Sequence, residues 1–320
     1  MSRIHEALKK AEQERAGVQV TDAGPIAPDT MEVETTAAFS MSDSTVASIP
    51  EERLSAAATV SSLPGAYLRF EDLRTHCSHP EWNLDPNVNI FFNPALSPRG
   101  AEQFRTLRSR LYQIRANQPL RSVLITSSVP GEGKTFITSN LAQAIVRQPD
   151  RRVLIIDADL RCPRLHVPLG APNSPGLTDY LRGTADETAV IQQGREDNLC
   201  FIAGGRQVKD PSELLSNGMF KKLLDRVAPA FDWVLLDSPP CLPVADSTML
   251  ADLCDGVLLV VQAGKTPTEL AQKACQELQG KNIVGVVLNA IEASHLWGTY
   301  YYQGYGYNYG HNQVSEEARA

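Results

Sequence analysis

The chain has 320 residues, of which 42% are hydrophobic, and its formal net charge is −7. This length allows one large α/β domain or two smaller ones, and the apolar content supports a sizeable core. Residues 17–65 hold seven acids and one arginine, so the rest of the chain carries only −1. A nearly neutral remainder gives no support for nucleic-acid binding, and we expect no nucleic-acid partner.

The six cysteines are scattered, without a C-x-x-C pair or a metal-binding spacing, which is typical of a reducing compartment. No apolar run approaches the roughly 18–20 residues needed to cross a bilayer. The basic N-terminus lacks the apolar stretch of a signal peptide. We therefore expect a cytoplasmic protein.

Three segments precede the predicted core domain. Residues 1–16 predict a short amphipathic helix with Ser2 as a candidate N-cap, which either docks on a partner or frays. Residues 17–65 are acidic, rich in Ala, Ser, Thr and Pro and without periodicity, which indicates a disordered linker. Residues 66–98 gain aromatic side chains but remain irregular, so we expect them to pack on the core.

Apolar strands alternate with helical segments through residues 99–292. The predicted elements are helix 100–116, strand 123–126, helix 136–145, strand 152–158, helix 177–182, strand 199–203, helix 211–228, strand 232–237, helix 245–253, strand 256–262, helix 266–279 and strand 283–290. Near-continuous apolar strands separated by helices predict an α/β domain whose mostly parallel sheet is covered on both faces.

A glycine-rich loop follows the first strand and reads Ser128-Val-Pro-Gly131-Glu-Gly133-Lys134-Thr135. The glycines let backbone N–H groups close around phosphate oxygens, the lysine reaches the outer phosphates and the threonine hydroxyl ligates Mg²⁺. The strict P-loop pattern has glycine where this chain has Ser128. A helix opened by a glycine turn is the simpler interpretation, but the strand before the loop and the helix after it favour nucleotide binding.

Aspartates end two of the predicted strands: Asp157 and Asp159 close strand 152–158, and Asp237 closes strand 232–237. Ligands collect at the carboxyl ends of parallel strands, where carboxylates hold Mg²⁺ through waters or accept a proton from an attacking hydroxyl. A strand-ending aspartate that caps the next helix explains one such residue. It does not explain three in this order beside a phosphate loop.

The C-terminal segment 293–320 contains six of the nine tyrosines of the chain within ten residues. They are Tyr300, Tyr301, Tyr302, Tyr305, Tyr307 and Tyr309. A Gly/Tyr/Asn run after the last strand is too flexible for a core. Its composition fits a low-complexity tail or an edge strand as well as a cluster of phosphate acceptors.

The segments SSVPGEGKT, VLIIDADLR and VLLDSPP together resemble the three Walker-type motifs of the bacterial tyrosine kinases of the Wzc/CapB/CpsD type. EQFRTLRSRL, PSELL and PVADSTMLADLCDGVLLVV match as well, so the resemblance covers about residues 100–310. It implies a P-loop NTPase fold related to the Min/Par ATPases, ATP and Mg²⁺ as cofactors, and an autokinase of capsule or exopolysaccharide synthesis that phosphorylates its own tyrosine tail.

We assign Lys134 to the outer phosphates and place Mg²⁺ with Thr135, Asp159 and Asp237. Asp157 is the predicted acceptor of the tyrosine proton, although the roles of Asp157 and Asp159 can be exchanged. The predicted nucleotide-binding residues are Pro130, Gly131, Glu132, Gly133, Lys134, Thr135, Phe136, Arg161 and Asn289. Asn289 ends the last strand, where it either contacts adenine or forms a turn.

Glu102, Arg105 and Arg108 lie three residues apart on one predicted helix. They form either a local ion pair or, as the resemblance implies, subunit contacts in a ring where each tail enters a neighbour's site. Phosphate groups added to the tail would repel it from a site that already holds nucleotide phosphates, and the ring would then loosen. The resemblance also implies a separate membrane protein of the chain-length-determinant type as activator, a cognate tyrosine phosphatase, and association with the inner membrane through that partner.

Two other functions compete with an autokinase. A Min/Par-type ATPase switch shares the fold, but the additional lysine of its Walker loop would fall at Val129 and is absent. A scaffold without catalysis would not need the complete set of lysine, threonine and aspartates described above.

Overall fold

A computed structural model describes residues 68–92, 98–194 and 196–291 of the chain. The predicted helix 1–16, the linker 17–65 and the tyrosine tail 293–320 lie outside these residues.

The described residues form an α/β fold around one seven-stranded sheet. The strands are β1 (Ser122–Ser127), β2 (Val153–Asp157), β3 (Ile191–Gln193), β4 (Leu199–Ile202), β5 (Trp233–Asp237), β6 (Gly256–Gln262) and β7 (Ile283–Asn289). The helices are α1 (Phe70–His76), α2 (Pro98–Arg115), α3 (Lys134–Val146), α4 (His166–Leu169), α5 (Leu177–Leu181), α6 (Glu187–Val190), α7 (Pro211–Ser216), α8 (Met219–Val227), α9 (Asp246–Ala251) and α10 (Thr268–Glu277).

The strand order is β3-β4-β2-β5-β1-β6-β7, and every pair is parallel except β3 with β4. The register aligns the carboxyl ends of three central strands, because Ile125 of β1 and Asp157 of β2 both lie opposite Asp237 of β5. Loops that leave these ends therefore meet at one edge of the sheet, where ligands bind in this type of fold.

Two apolar layers enclose the sheet, which is why its central strands are buried along their full length. One layer packs Leu124 and Leu236 against α1, α5, α8, α9 and α10. The other packs Ile125 and Leu235 against α2 and α3. This arrangement confirms the predicted α/β P-loop NTPase fold with a mostly parallel sheet covered by helices on both faces.

Several elements differ from the prediction, which did not include the short helices α4 and α6. Helix 211–228 is two helices, because Gly218 adopts a left-handed φ of +79° between α7 and α8. The short antiparallel strand β3 was not predicted, since three residues are too few to show a period. Residues 66–98 are not wholly irregular: α1 is helical and buries Phe70 and Leu73.

Candidate active site

The loop between β1 and α3 has the backbone of a phosphate-binding loop. Gly131 and Gly133 have φ values of +87° and +96°, which side-chain-bearing residues rarely adopt. A Cβ atom on Gly133 would lie 2.1 Å from Asn289 Nδ2, so any other residue there would have to displace the Asn289 side chain as well as adopt this unfavourable φ. Helix α3 begins at Lys134 without a side-chain cap, which leaves its amino-terminal N–H dipoles directed at the loop.

Thr135 and Asp237 bring the phosphate loop and β5 together. The Thr135 Oγ1 donates a hydrogen bond of 2.6 Å to Asp237 Oδ2, and Thr138 Oγ1 lies 3.5 Å from Asp237 Oδ1. Asp237 is 2% exposed and the Lys134 side chain is also buried. The structure therefore places Lys134, Thr135 and Asp237 at one site.

Asp157 and Asp159 lie at the end of the neighbouring strand in different environments. Asp157 is fully buried, and both of its oxygens accept backbone hydrogen bonds, from Asp159 N at 3.2 Å and from Leu165 N at 2.9 Å. Asp159 is only half-buried, and its Oδ1 accepts from Cys162 N at 3.0 Å. Asp159 is thus the carboxylate that an incoming substrate can reach.

The site accumulates negative charge at low dielectric. Burial raises the pKa of Asp237 to about 7, opposed by the hydrogen bond from Thr135 and the positive charge of Lys134. Burial and then the charge of Asp237 raise the pKa of Asp157 well above its ordinary value. Burial also raises the pKa of Asp159, although hydrogen bonds from backbone N–H groups and the positive charge of Lys134 oppose this rise. A cation at this edge would stabilise the ionised carboxylates.

The donor atoms fit Mg²⁺, which prefers oxygen ligands and usually keeps several waters and phosphate oxygens. Thr135, Asp159 and Asp237 offer such oxygens. In residues 68–92, 98–194 and 196–291, no group of three or more His, Cys, Asp or Glu side chains forms a metal cage. The oxygen atoms of Thr135, Asp159 and Asp237 suit a Mg²⁺ ion whose remaining ligands are waters and phosphate oxygens.

Two predicted nucleotide ligands have side chains engaged elsewhere. The Glu132 carboxylate is turned into the protein and accepts hydrogen bonds from Val129 N and Thr266 Oγ1. A contact between Glu132 and the nucleotide therefore stays a prediction, and its backbone would have to make it. The Arg161 guanidinium pairs with buried Asp246, with Nε at 2.6 Å and Nη2 at 3.0 Å, and this hydrogen bonding raises the pKa of Arg161.

The other predicted ligands border the loop. Asn289 Nδ2 donates to the Glu132 carbonyl oxygen at 2.8 Å, which places the end of β7 against the phosphate loop. Phe136 packs on Phe104 of α2 with ring centroids 5.8 Å apart, while Pro130 is exposed. A contact between Asn289 and adenine remains a prediction.

The predicted interface residues on α2 are not equivalent. Glu102 and Arg105 are exposed and form an ion pair with each other. Arg108 is half-buried, and its Nη1 donates a hydrogen bond of 2.5 Å to the carbonyl oxygen of Ala144 in α3. Arg108 therefore braces two helices of the same subunit, which the motif by itself did not indicate. The six tail tyrosines lie outside the described residues.

Sequence reasoning assigned no role to Thr138 or Asp246. Asp246 is buried in the segment PVADSTML, where an acid among apolar residues was the signal for a buried polar contact. Thr138 lies one helical turn after Lys134, which places both on one face of α3.

A sequence profile described as an AAA domain matches residues 121–279. Tyrosine-protein kinase YwqD of Bacillus subtilis is 36% identical over 196 residues, which are 61% of this chain and 82% of that protein. The putative tyrosine-protein kinase EpsB of Ralstonia solanacearum is 37% identical over 211 residues, but these are 65% of this chain and only 27% of EpsB.

Solved structures agree with these sequence relatives. The VpsO kinase domain is 33% identical with a TM-score of 0.57, and the match covers 63% of this chain and all of that domain. The chimerical protein CapA2B2 is 27% identical with a TM-score of 0.60, covering 69% of this chain and 98% of the other. With its phosphate loop and strand-end aspartates in place, the chain belongs to the bacterial tyrosine-protein kinases.

Proposed function

We propose that this protein is an ATP-dependent protein-tyrosine autokinase that phosphorylates its C-terminal tyrosine cluster. The observation that supports this most directly is the meeting of Lys134 and Thr135 with Asp159 and Asp237 at one sheet edge. Family membership and the six tyrosines of the tail support the choice of acceptor.

In the proposed reaction, the tyrosine hydroxyl oxygen attacks the γ-phosphorus of ATP. A new O–P bond forms, the bond to the β–γ bridging oxygen breaks, and ADP leaves. Lys134 and the N–H groups of the loop would hold the phosphate oxygens, while Thr135 and Asp237 would hold Mg²⁺. When bound, Mg²⁺ supplies charge neutralisation across the phosphates.

We assign the proton acceptor to Asp159 rather than Asp157. Asp157 is fully buried and both its oxygens already accept backbone hydrogen bonds, so its carboxylate orients the loop that follows β2. Asp159 is accessible, and its raised pKa makes it a better base than an ordinary aspartate. With Asp159 as the proton acceptor, Thr135 and Asp237 are the residues that would hold Mg²⁺.

We further propose that the tail is phosphorylated in trans within a ring of subunits. Glu102 and Arg105 support the ring because they are exposed on α2 and are therefore accessible to a neighbouring subunit. A separate membrane protein would activate the kinase and bring it to the inner membrane, and a phosphatase would reverse the modification, in a system that makes capsule or exopolysaccharide. Among the described residues, no helix is long and apolar enough to span a bilayer.

Incubation with Mg-ATP followed by mass-spectrometric mapping of phosphotyrosine tests the activity. We expect phosphate on Tyr300–Tyr309 in the wild type and none in Lys134→Met. Mixing Lys134→Met with a tail-deleted active chain tests the trans route, since only a trans reaction labels the mutant's tail. Phosphate release without any phosphotyrosine, even with a cytoplasmic peptide of a membrane partner present, would favour the ATPase switch instead.

A further inference from the structure

The carboxylate of Glu132 is buried inside a loop whose shape suits anions. The residue is 1% exposed and lies between Gly131 and Gly133. No ion pair found within the described ranges includes it. A buried carboxylate without a cationic partner is costly, and beside phosphates it also repels the ligand. Its contacts must offset both effects.

Those contacts join the phosphate loop to the turn that follows β6. Glu132 Oε2 accepts a hydrogen bond of 2.8 Å from Val129 N, at the start of the loop. Glu132 Oε1 accepts from Thr266 Oγ1 at 2.5 Å and from Gln262 N at 3.3 Å. Hydrogen bonds to an ionised acceptor are stronger than those between neutral groups, so one side chain holds two chain segments together.

The turn is itself fixed to the neighbouring strand end. Thr266 N donates to Gln262 O at 3.1 Å, and Ala263 N donates to Asn289 O at 2.9 Å. Asn289 then returns to the phosphate loop, since its Nδ2 donates to Glu132 O at 2.8 Å. The loop, the turn after β6 and the end of β7 thus form a closed circuit of hydrogen bonds in which Glu132 takes part twice.

We propose that Glu132 is a positioning residue whose carboxylate, held by Thr266 and Gln262, keeps the phosphate loop in its nucleotide-binding conformation. The nucleotide as ligand rests on the proposed function. The proposal makes a prediction of definite sign for Glu132→Gln. Loss of negative charge by itself would strengthen nucleotide binding, whereas loss of positioning weakens it, because the amide NH₂ of glutamine faces a hydrogen-bond donor.

Calorimetric titration with Mg-ADP separates these outcomes. We expect Glu132→Gln to raise Kd about tenfold, the usual effect of losing a charge-assisted hydrogen bond. Thr266→Val should raise Kd by a smaller factor, and Thr266→Ser, which keeps the hydroxyl, should bind like the wild type. The double variant Glu132→Gln/Thr266→Val should bind no more weakly than Glu132→Gln, because both changes remove the same bond.

Amide hydrogen exchange in the nucleotide-free protein gives a second readout. The Val129 amide should exchange faster in Glu132→Gln and Thr266→Val than in the wild type and Thr266→Ser. If Glu132→Gln does not fold, the same test is made by comparing Thr266→Val with the wild type and Thr266→Ser. Unchanged Val129 exchange, an unchanged or lower Kd in Glu132→Gln, or additive effects in the double variant would each overturn the proposal. A wild type that binds Mg-ADP but never labels its tail overturns only the kinase function.

Discussion

The buried Asp237 carboxyl makes the stability of the nucleotide-free protein depend on pH. Burial raises its pKa to about 7 in the folded state, whereas an aspartate in an unfolded chain titrates at about 3.9. Between these values the folded protein keeps a proton that the unfolded chain has released. The free energy of unfolding therefore falls as pH rises, by up to about 1.4 kcal/mol per pH unit. This loss of stability levels off once the pH rises above the folded-state pKa of about 7.

Urea unfolding at about pH 5.5, 6.5 and 7.5, without nucleotide or Mg²⁺, measures this effect. From the slope above, we expect Asp237 to contribute a loss of about 2 kcal/mol over the range, in addition to the losses from Asp157 and Asp159, whose pKa values are also raised. Asp237→Asn should therefore lose clearly less than the wild type. Asp225→Asn is the control, because Asp225 is exposed and pairs with Lys221, so it should follow the wild type. Equal slopes in the wild type and Asp237→Asn would refute the reasoning.

Two further predictions concern packing at the site. Gly133→Ala should weaken nucleotide binding more than Gly131→Ala in a titration. Both variants place a side chain at a left-handed φ, which costs ~1–3 kcal/mol, but only a Cβ at position 133 would also displace the Asn289 side chain, whose Nδ2 lies 2.1 Å away and donates to Glu132 O. Equal binding by both variants would contradict this. Arg161→Ala should lower the free energy of unfolding by about 2–3 kcal/mol in a denaturant titration. This is less than the cost of breaking a fully buried ion pair, because the Arg161 side chain is 37% exposed. Adding Asp246→Asn to Arg161→Ala should restore part of the lost stability, because it removes the unpaired buried charge.

Local signals in the sequence were sufficient for six of the seven described strands and for the phosphate loop. The strands β1, β2 and β5 each have a continuous apolar stretch because they are covered on both faces, and that pattern can be read without coordinates. Gly131 and Gly133 stand where backbone geometry admits little else, so their positions in the chain already predicted the loop. The family resemblance rests on these same segments.

Tertiary structure decided which side chains face the site. Asp157 and Asp159 are equivalent in sequence, but only packing buries the first and leaves the second accessible. Arg108 belongs to a motif of evenly spaced charges, yet its nearest acceptor is a carbonyl of another helix. The partner of Glu132, Thr266, is 134 residues away. Sequence periodicity specifies the elements because it records local burial, whereas contacts between distant segments depend on how those elements pack.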